Sequence, residues 1–401
     1  MNQDPREETA TQQKNVFLKQ HAMFITMTVG LWLVCAAWYL FQPTPATVEA
    51  LYTRGFYRII VGMTVPVTER LPFSLALILV TGGPLLFLAL WASNWIYRRR
   101  VHKLTHWRGL LWGPKWLLPI VPVIWLWFLV FWGIGYGRLP VEERLHFDGG
   151  NVSEEELFRI KEGLLAVILG DQPRSDGDRD TDRALASVSR TMQMLTSEWE
   201  GKPVRVPRRV KATPDGLLLM NGTSGVCAPF TLEPHVDGAL PDTWFVSVGA
   251  HELGHIAGVC DEGETNLISY IAGLRADDPY ARYAVALSIY LGVVRQLKSE
   301  DRKTAMDRLP EQAHRDIERT RKAQERYKID WFQKWSWRAY NQYLKSQGVQ
   351  EGVRSYGRGT QLLARAWRAG YIDLPEVPAD PSVQEKTAPA TLDESSTPAM
   401  Q

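Results

Sequence analysis

Three long runs without a charged side chain constrain this sequence more than any other feature. Residues 22–41, AMFITMTVGLWLVCAAWYLF, form the first. Residues 71–97 form the second, interrupted by Gly82, Gly83 and Pro84. Residues 117–136 form the third, rich in Trp, with Pro119 and Pro122 near its start. About 20 apolar residues in a helix match a hydrocarbon core of roughly 30 Å. A helix satisfies its own backbone there, and neighbouring helices tolerate Pro and Gly. Trp and Tyr at the edges of the runs suit the two interfaces better than the core of a large soluble protein. The first run lies behind a polar tail and is longer than the apolar stretch of a cleaved leader, so it reads as an anchor.

Charge gives the spans a direction. Residues 1–136 carry 12 basic and 5 acidic side chains, and the remainder carries 34 and 39. Loop 98–115 holds Arg98, Arg99, Arg100, Lys103, Arg108 and Lys115 and no acid. Short loops rich in Lys and Arg stay cytoplasmic. The tail 1–21 is then inside and everything after residue 136 is outside. The basic excess lies among apolar runs, so no nucleic-acid footprint is expected. The segment between the first two spans, VEALYTRGFYRIIVGMTVPV (48–67), is amphipathic and reads as a helix on the membrane surface or as a plain connecting loop. Three cysteines cannot make a disulfide framework, and Cys227 and Cys260 pair only if the fold brings them together.

The body after the third span, 137–375, reads as α+β and mostly α. Ser153 with Glu156 is a capping-box pattern that opens a helix through about residue 169. A second helix is expected over 182–199. The pieces VRVPRRVKA, GLLLM and APFTLEPHV, within 203–235, are short and broken by Pro and Gly, and read as strands and turns. Helices are then expected at 243–259 with Asp242 as cap, and at 262–274, 280–298, 310–346 and 358–369. The apolar run AVALSIYLGVV (284–294) is too short to span and reads as a core helix. Residues 376–401, rich in Pro, Ala, Ser and Thr, read as a disordered tail.

Within the helix at 243–259 lies HELGH, residues 251–255. On a helix His251 and His255 stand about 40° apart and one turn apart in height, so both imidazoles can bind one zinc ion. Glu252, about 100° from His251, can reach a water on the metal as a general base without being a ligand. A helix otherwise nearly free of charge has little use for three such groups unless they find a partner, which a metal supplies. Gly249 and Gly254 leave room for another segment. Three acids compete for the third ligand position: Asp261, Glu262 and Glu264. Asp261 has the spacing of an H-E-x-x-H-x-x-G-x-x-H site with Asp in the last place. Asp261 and Glu264 can instead cap the next helix, which leaves Glu262, paired with Asn266 at i,i+4, as the preferred ligand.

The stretch resembles a bacterial family known only as a domain of unknown function, whose members carry a HELAHQ-type helix followed by REDEAN. The counterparts here are HELGHI and DEGETN, which align without a gap. GVCAPFTLE (225–233) is similar to the family's G-x-x-x-PFT-x-E, and the likeness extends to YLKSQGVQEGVRSYG (343–357), YTRGFY (52–57) and LPFS (71–74). This resemblance implies a membrane-anchored zinc metallopeptidase of the gluzincin type, with His251, His255 and Glu262 as Zn2+ ligands and Glu252 as base. Asp261 stands where the family has Arg, which keeps it in play. PFTLE is then expected as the strand bordering the substrate cleft, and Tyr356 or Arg354 as the oxyanion stabiliser.

The expected function is hydrolysis of peptide or protein substrates at the outer surface of the bacterial cytoplasmic membrane, in contact with lipid. A zinc-binding sensor that signals through its spans is the alternative, weakened by the lack of a cytoplasmic effector domain. A structural protein with a decayed motif is a third reading, which the intact His-Glu-His set opposes.

Overall fold

The computed structural model describes residues 5–101, 114–147, 149–347 and 358–375. The expected tail 376–401, residues 102–113 of the basic loop, and both Arg354 and Tyr356 lie outside the described residues.

Three helices are long and apolar enough to cross a membrane: Ala22–Leu40 within α1 (Pro5–Leu40), α3 (Leu75–Val101), and Pro114–Phe131, whose main part is α4 (Leu117–Phe131). Leu33, Leu40, Leu85 and Leu86 are exposed, as side chains facing lipid would be. Both later spans differ from the sequence expectation at each end, the second reaching Val101 and the third starting at Pro114. The second span starts at Leu75, because LPFS forms a turn in which Ser74 Oγ accepts from the Leu77 amide and caps the helix. The third ends at Phe131, because the glycine-rich Gly133–Gly137 tightens into a 3-10 turn.

The segment between the first two spans is helical rather than a plain loop, with Leu51, Ile59, Met63 and Val67 exposed on one side. Val48–Phe56 is a π-helical stretch that continues into α2 (Tyr57–Thr68). Tyr57, Ile60, Val61 and Val65 are buried against Leu129, Trp132, Ile256 and Cys260. One apolar side of this helix is thus buried on protein, while the side with Ile59, Met63 and Val67 is left open.

The remaining chain is mostly helical with one small sheet. α5 (Glu154–Asp171) opens with both halves of the Ser153–Glu156 capping box. α6 (Thr181–Glu200) is capped by Asp180 and ends at Gly201 in the left-handed conformation. β1 (Lys211–Thr213), β2 (Gly225–Ala228) and β3 (Glu233–Asp237) lie in the order β1-β3-β2, parallel for the first pair and antiparallel for the second, with Lys211 and Val226 both opposite His235. GLLLM is not a strand, since Leu219–Asn221 is a 3-10 turn. PFTLE is not a strand either. Pro229–Leu232 makes the turn between β2 and β3, closed by the Leu232 amide donating to the Ala228 carbonyl at 2.9 Å, with Leu232 at φ +50°.

α7 (Asp242–Ile256) starts after Pro241, and Asp242 lies inside its first turn rather than capping it. α8 (Glu262–Leu274) and α9 (Pro279–Val294) follow, capped by Asp261 and Asp278. α9 packs along α5 and against α7 and α8, with Leu287 and Tyr290 fully buried, as its short apolar run implies. α10 (Ser299–Asp307) has a polar composition that hides it from a periodicity reading. The expected single helix over 310–346 is two, α11 (Glu311–Tyr327) and α12 (Asp330–Ser346). At the break the Ile329 amide donates to the Met220 carbonyl, a tertiary bond in place of the helical one. α13 (Arg358–Arg368) is the last helix among the described residues.

The sheet is locked to the second span. Glu233 accepts from the Leu75 and Ala76 amides, two donors that a helix start leaves without intrahelical partners, and Ser74 shares a 2.7 Å hydrogen bond with His235 Nε2. The body therefore sits at the N-terminal end of the second span and the C-terminal end of the third.

Candidate metal centre

α7 carries HELGH, and what packs against it decides where each side chain points. A Cβ at Gly254 would lie 3.0 Å from Thr265 Cγ2 and 3.1 Å from Ile268 Cγ2, so glycine lets α8 cross α7 closely; Gly249 admits Leu185 in the same way. Tyr57 of α2 donates to the Ile256 carbonyl at 3.1 Å, satisfying one of the acceptors that end α7. Gly258, at φ +96°, then reverses the chain so that α8 returns beside the histidines.

The return brings Glu262 to the histidines. Its Oε2 lies 3.1 Å from His251 Nε2 and 3.4 Å from His255 Nε2, and one ligand atom from each of the three residues fits within 4.8 Å of the others. Zinc bonds of about 2.0–2.1 Å at tetrahedral angles separate neighbouring ligand atoms by about 3.3 Å. The spacing is therefore that of ligands sharing one ion. His251 Nδ1 donates to Asn266 Oδ1 at 2.9 Å and His255 Nδ1 to the Val259 carbonyl at 2.8 Å. These bonds select the tautomers whose Nε2 lone pairs face Glu262.

The other two acids are occupied. Asp261 Oδ1 accepts from the Glu264 amide at 2.9 Å and caps α8. Glu264 does not complete the box; its carboxylate accepts from the Val141 amide at 2.9 Å and from Arg144 at 2.5 Å. It thereby joins a buried ion network in which Arg138 bridges Glu49 and Glu200, Arg144 faces Glu200, and Arg58 reaches Glu200. The network ties the π-helical stretch before α2, the chain after the third span and the end of α6 to the helix that presents Glu262.

Glu252 is buried, and its Oε2 has no hydrogen-bond partner. Burial pushes its carboxyl up to about 8; Glu262 adds to the shift, while His251 and the Cys227 amide oppose it. For Glu262 burial also pulls upward, but His255 and His251 outweigh it and hold the carboxyl well below its usual range. Burial works against a His255 cation, yet Glu262 lifts its pKa above the ordinary value. A carboxylate that favours a proton on His255 in this way offers the same negative environment to a dication. The donor set, the bonds that fix the imidazoles from behind and the unpartnered Glu252 oxygen fit a zinc ion.

The centre opens onto a cleft of about 720 Å³. β2, an edge strand in the described sheet, forms one wall, and a Cβ on Gly225 would stand 2.5 Å from Glu252 Oε1 and 2.6 Å from Val248 Cγ1. Gly225→Ala must therefore push the Glu252 carboxylate or Val248 aside, and is expected to lower the midpoint of thermal unfolding by several degrees, since overpacking costs about 1–3 kcal/mol. An unchanged midpoint would mean that the wall has room for the methyl group.

Several residues at the centre escape a reading of the sequence. Tyr340 of α12 donates to Glu262 Oε1 at 2.5 Å, leaving Oε2 toward the histidines. Its signal is the spacing of Trp337, Tyr340 and Tyr343 on one helix face, all of which line the cleft. Trp132, just past the third span, packs its ring 5.4 Å from that of His255. Cys227 and Cys260 are buried free thiols, not a disulfide, and burial raises both.

No curated protein and no solved structure matches the chain. A family model described as "Protein of unknown function (DUF3810)" matches residues 52–364, from the π-helical stretch through the metal centre into α13, and the chain belongs to that family.

Proposed function

We propose that this protein is a membrane-anchored zinc metallopeptidase of the gluzincin type, with residues 137–375 as its catalytic body on the outer face of the bacterial cytoplasmic membrane. One observation carries the reading: His251, His255 and Glu262 converge at ligand spacing beside a buried Glu252 oxygen that has no partner. The basic Arg98–Arg100 at the far end of α3 supports the orientation, since the body sits at the opposite end of that span.

His251, His255 and Glu262 would hold the ion. A bound zinc supplies Lewis acidity and lowers the pKa of water to about 7. Glu252 then accepts the proton of the attacking water and returns it to the leaving amine. Asn266 and the Val259 carbonyl keep the imidazole tautomers correct, and Tyr340 orients Glu262. The edge of β2 would hold an extended peptide by backbone pairing.

Zinc stoichiometry on purified protein tests the assignment. Wild type is expected to hold one zinc per chain, and Glu262→Ala to lose it. Asp261→Ala is expected to keep the zinc and lose about 1 kcal/mol of stability, the usual cost of a helix cap. Retention by Glu262→Ala with loss in Asp261→Ala would transfer the ligand role. One zinc per chain with no peptide cut by the wild type would favour a zinc-binding sensor.

A further inference from the structure

The cleft differs from its surroundings in two ways. Among the described residues that line it there is no Lys, Arg or Asp; the only His or Glu side chains are those of the centre, His251, Glu252, His255 and Glu262. The rest is aromatic, aliphatic or small and polar. A charged side chain entering this space would lose hydration and find no partner of its own.

The second feature is position. Phe128, in the last turn of the third span, lines the cleft together with Trp132 and Tyr136, which follow it directly. Phe128 also packs on Tyr343 of α12, with ring centroids 6.0 Å apart, and Trp127 packs on Phe230 at 5.5 Å. The turn between β2 and β3 and the inner face of α12 are thus seated on the end of the span. Trp132 is one residue beyond Phe131 and touches His255. One Cα–Cα step, the reach of an indole and a 5.4 Å ring contact put the His255 ring within about 15 Å of the span's end. An extended chain rising about 3.3 Å per residue covers that distance in about five residues.

We infer that the natural substrate is itself a membrane-anchored polypeptide, cut in an extended, uncharged segment within about five residues of the point where it leaves the hydrocarbon. The inference rests on the peptidase reading above and deepens it. The span's end forms one wall of the cleft, so a polypeptide emerging beside it is delivered at the correct height without diffusing from solution. Confinement to that layer raises the local concentration of a tethered segment over that of the same sequence free in solution. The described lining offers no countercharge beyond the centre itself, which favours an uncharged segment over a basic or acidic one.

The test uses the full chain with zinc, reconstituted in phosphatidylethanolamine–phosphatidylglycerol vesicles. Four probes carry the same Leu/Ala/Ser-rich decapeptide ahead of a soluble reporter. In the first it directly follows a single transmembrane helix. In the second a twenty-residue Gly/Ser linker separates the two. The third has no helix, and the fourth has Lys at two central positions. The first probe is expected to be cut within about five residues of the helix end, at least tenfold faster than each of the others. Val226→Asp, a half-exposed change on the cleft wall, is expected to narrow the discrimination against the Lys probe. Equal cutting of the linker or soluble probe, abolished by Glu252→Gln, would overturn the substrate assignment and leave the peptidase standing. Equal cutting of the Lys probe would overturn the charge preference. No cutting of any probe by zinc-loaded protein would overturn both readings.

Discussion

Glu252→Gln protein is expected to hold zinc at the wild-type stoichiometry and to lose peptide hydrolysis by about 10²–10⁴-fold, the usual contribution of a positioned general base. The amide keeps the size of the carboxyl group, so Gly225 and Val248 need not move. Zinc should stay, because Glu252 is not among the three converging ligands. What changes is the ability to take a proton at Oε2, the atom that burial leaves without a partner in the folded chain. Burial, reinforced by Glu262 and opposed by His251, lifts this carboxyl to about 8, which would leave it largely protonated at neutral pH. The positive charge of a bound zinc would act in the opposite direction and restore the carboxylate. Under the proposed function, metal and base are coupled. Stripping zinc with a chelator is expected to remove activity as fully as the substitution, and readdition is expected to restore it only where Glu252 is present. Metal content by atomic emission alongside kcat/KM on one peptide separates the two effects. A Glu252→Gln protein that is zinc-loaded and fully active would end the base assignment.

The largest effect on stability is expected away from the metal. Arg138→Met leaves Glu49 and Glu200 buried without the cation between them. Breaking one partner of such a pair costs about 3–5 kcal/mol, whereas the intact pair contributes far less than that. Side-chain exposure of 5% for Arg138, 6% for Glu49 and 3% for Glu200 places the network in this class rather than among surface pairs, which are worth little. At roughly 2–4 °C per kcal/mol for a body of this size, the midpoint of thermal unfolding should fall by about 6–20 °C. The pH dependence has a definite sign. Burial pulls the Glu49 carboxyl upward, but Arg138 and Arg144 outweigh it and hold the folded value below the usual range. Stability from Glu49 is then fully present above its unfolded value of about 4.3 and is lost as pH falls through the lower folded one. Arg138→Met should flatten this acid limb. A midpoint within 2 °C or so of wild type would show that the carboxylates find other partners.

The network also shows why a choice left open by the sequence became definite. Asp261, Glu262 and Glu264 are near neighbours of the same chemistry, and spacing along one helix ranks them only weakly. Capping logic identifies the Asp261 bond to the Glu264 amide, which depends on local geometry alone. It cannot supply Arg144 and the Val141 amide, which lie some 120 residues away in the chain and draw Glu264 off the metal side. The same limit explains the other departures. The sequence pattern does not show that Tyr57 is buried, because the partner of its hydroxyl, the end of α7, comes almost two hundred residues later. The break at Ile329 depends on the carbonyl of Met220. PFTLE has strand-like composition, yet its Phe230 packs on Trp127 and Phe128 of the third span and the chain turns there.

What the sequence determined by itself is what period, length and local caps can encode. Charge-free runs of membrane length, the Ser153 box, the core helix at 284–294, and two histidines with a glutamate on one helix are all properties of consecutive residues. Tertiary structure decided which acid faces those histidines, which tyrosine orients it, and that the third span ends against His255. Each of these is a meeting between segments far apart in the chain, made by close packing at Gly254 and by a buried charge network, and neither leaves a periodic trace in the sequence.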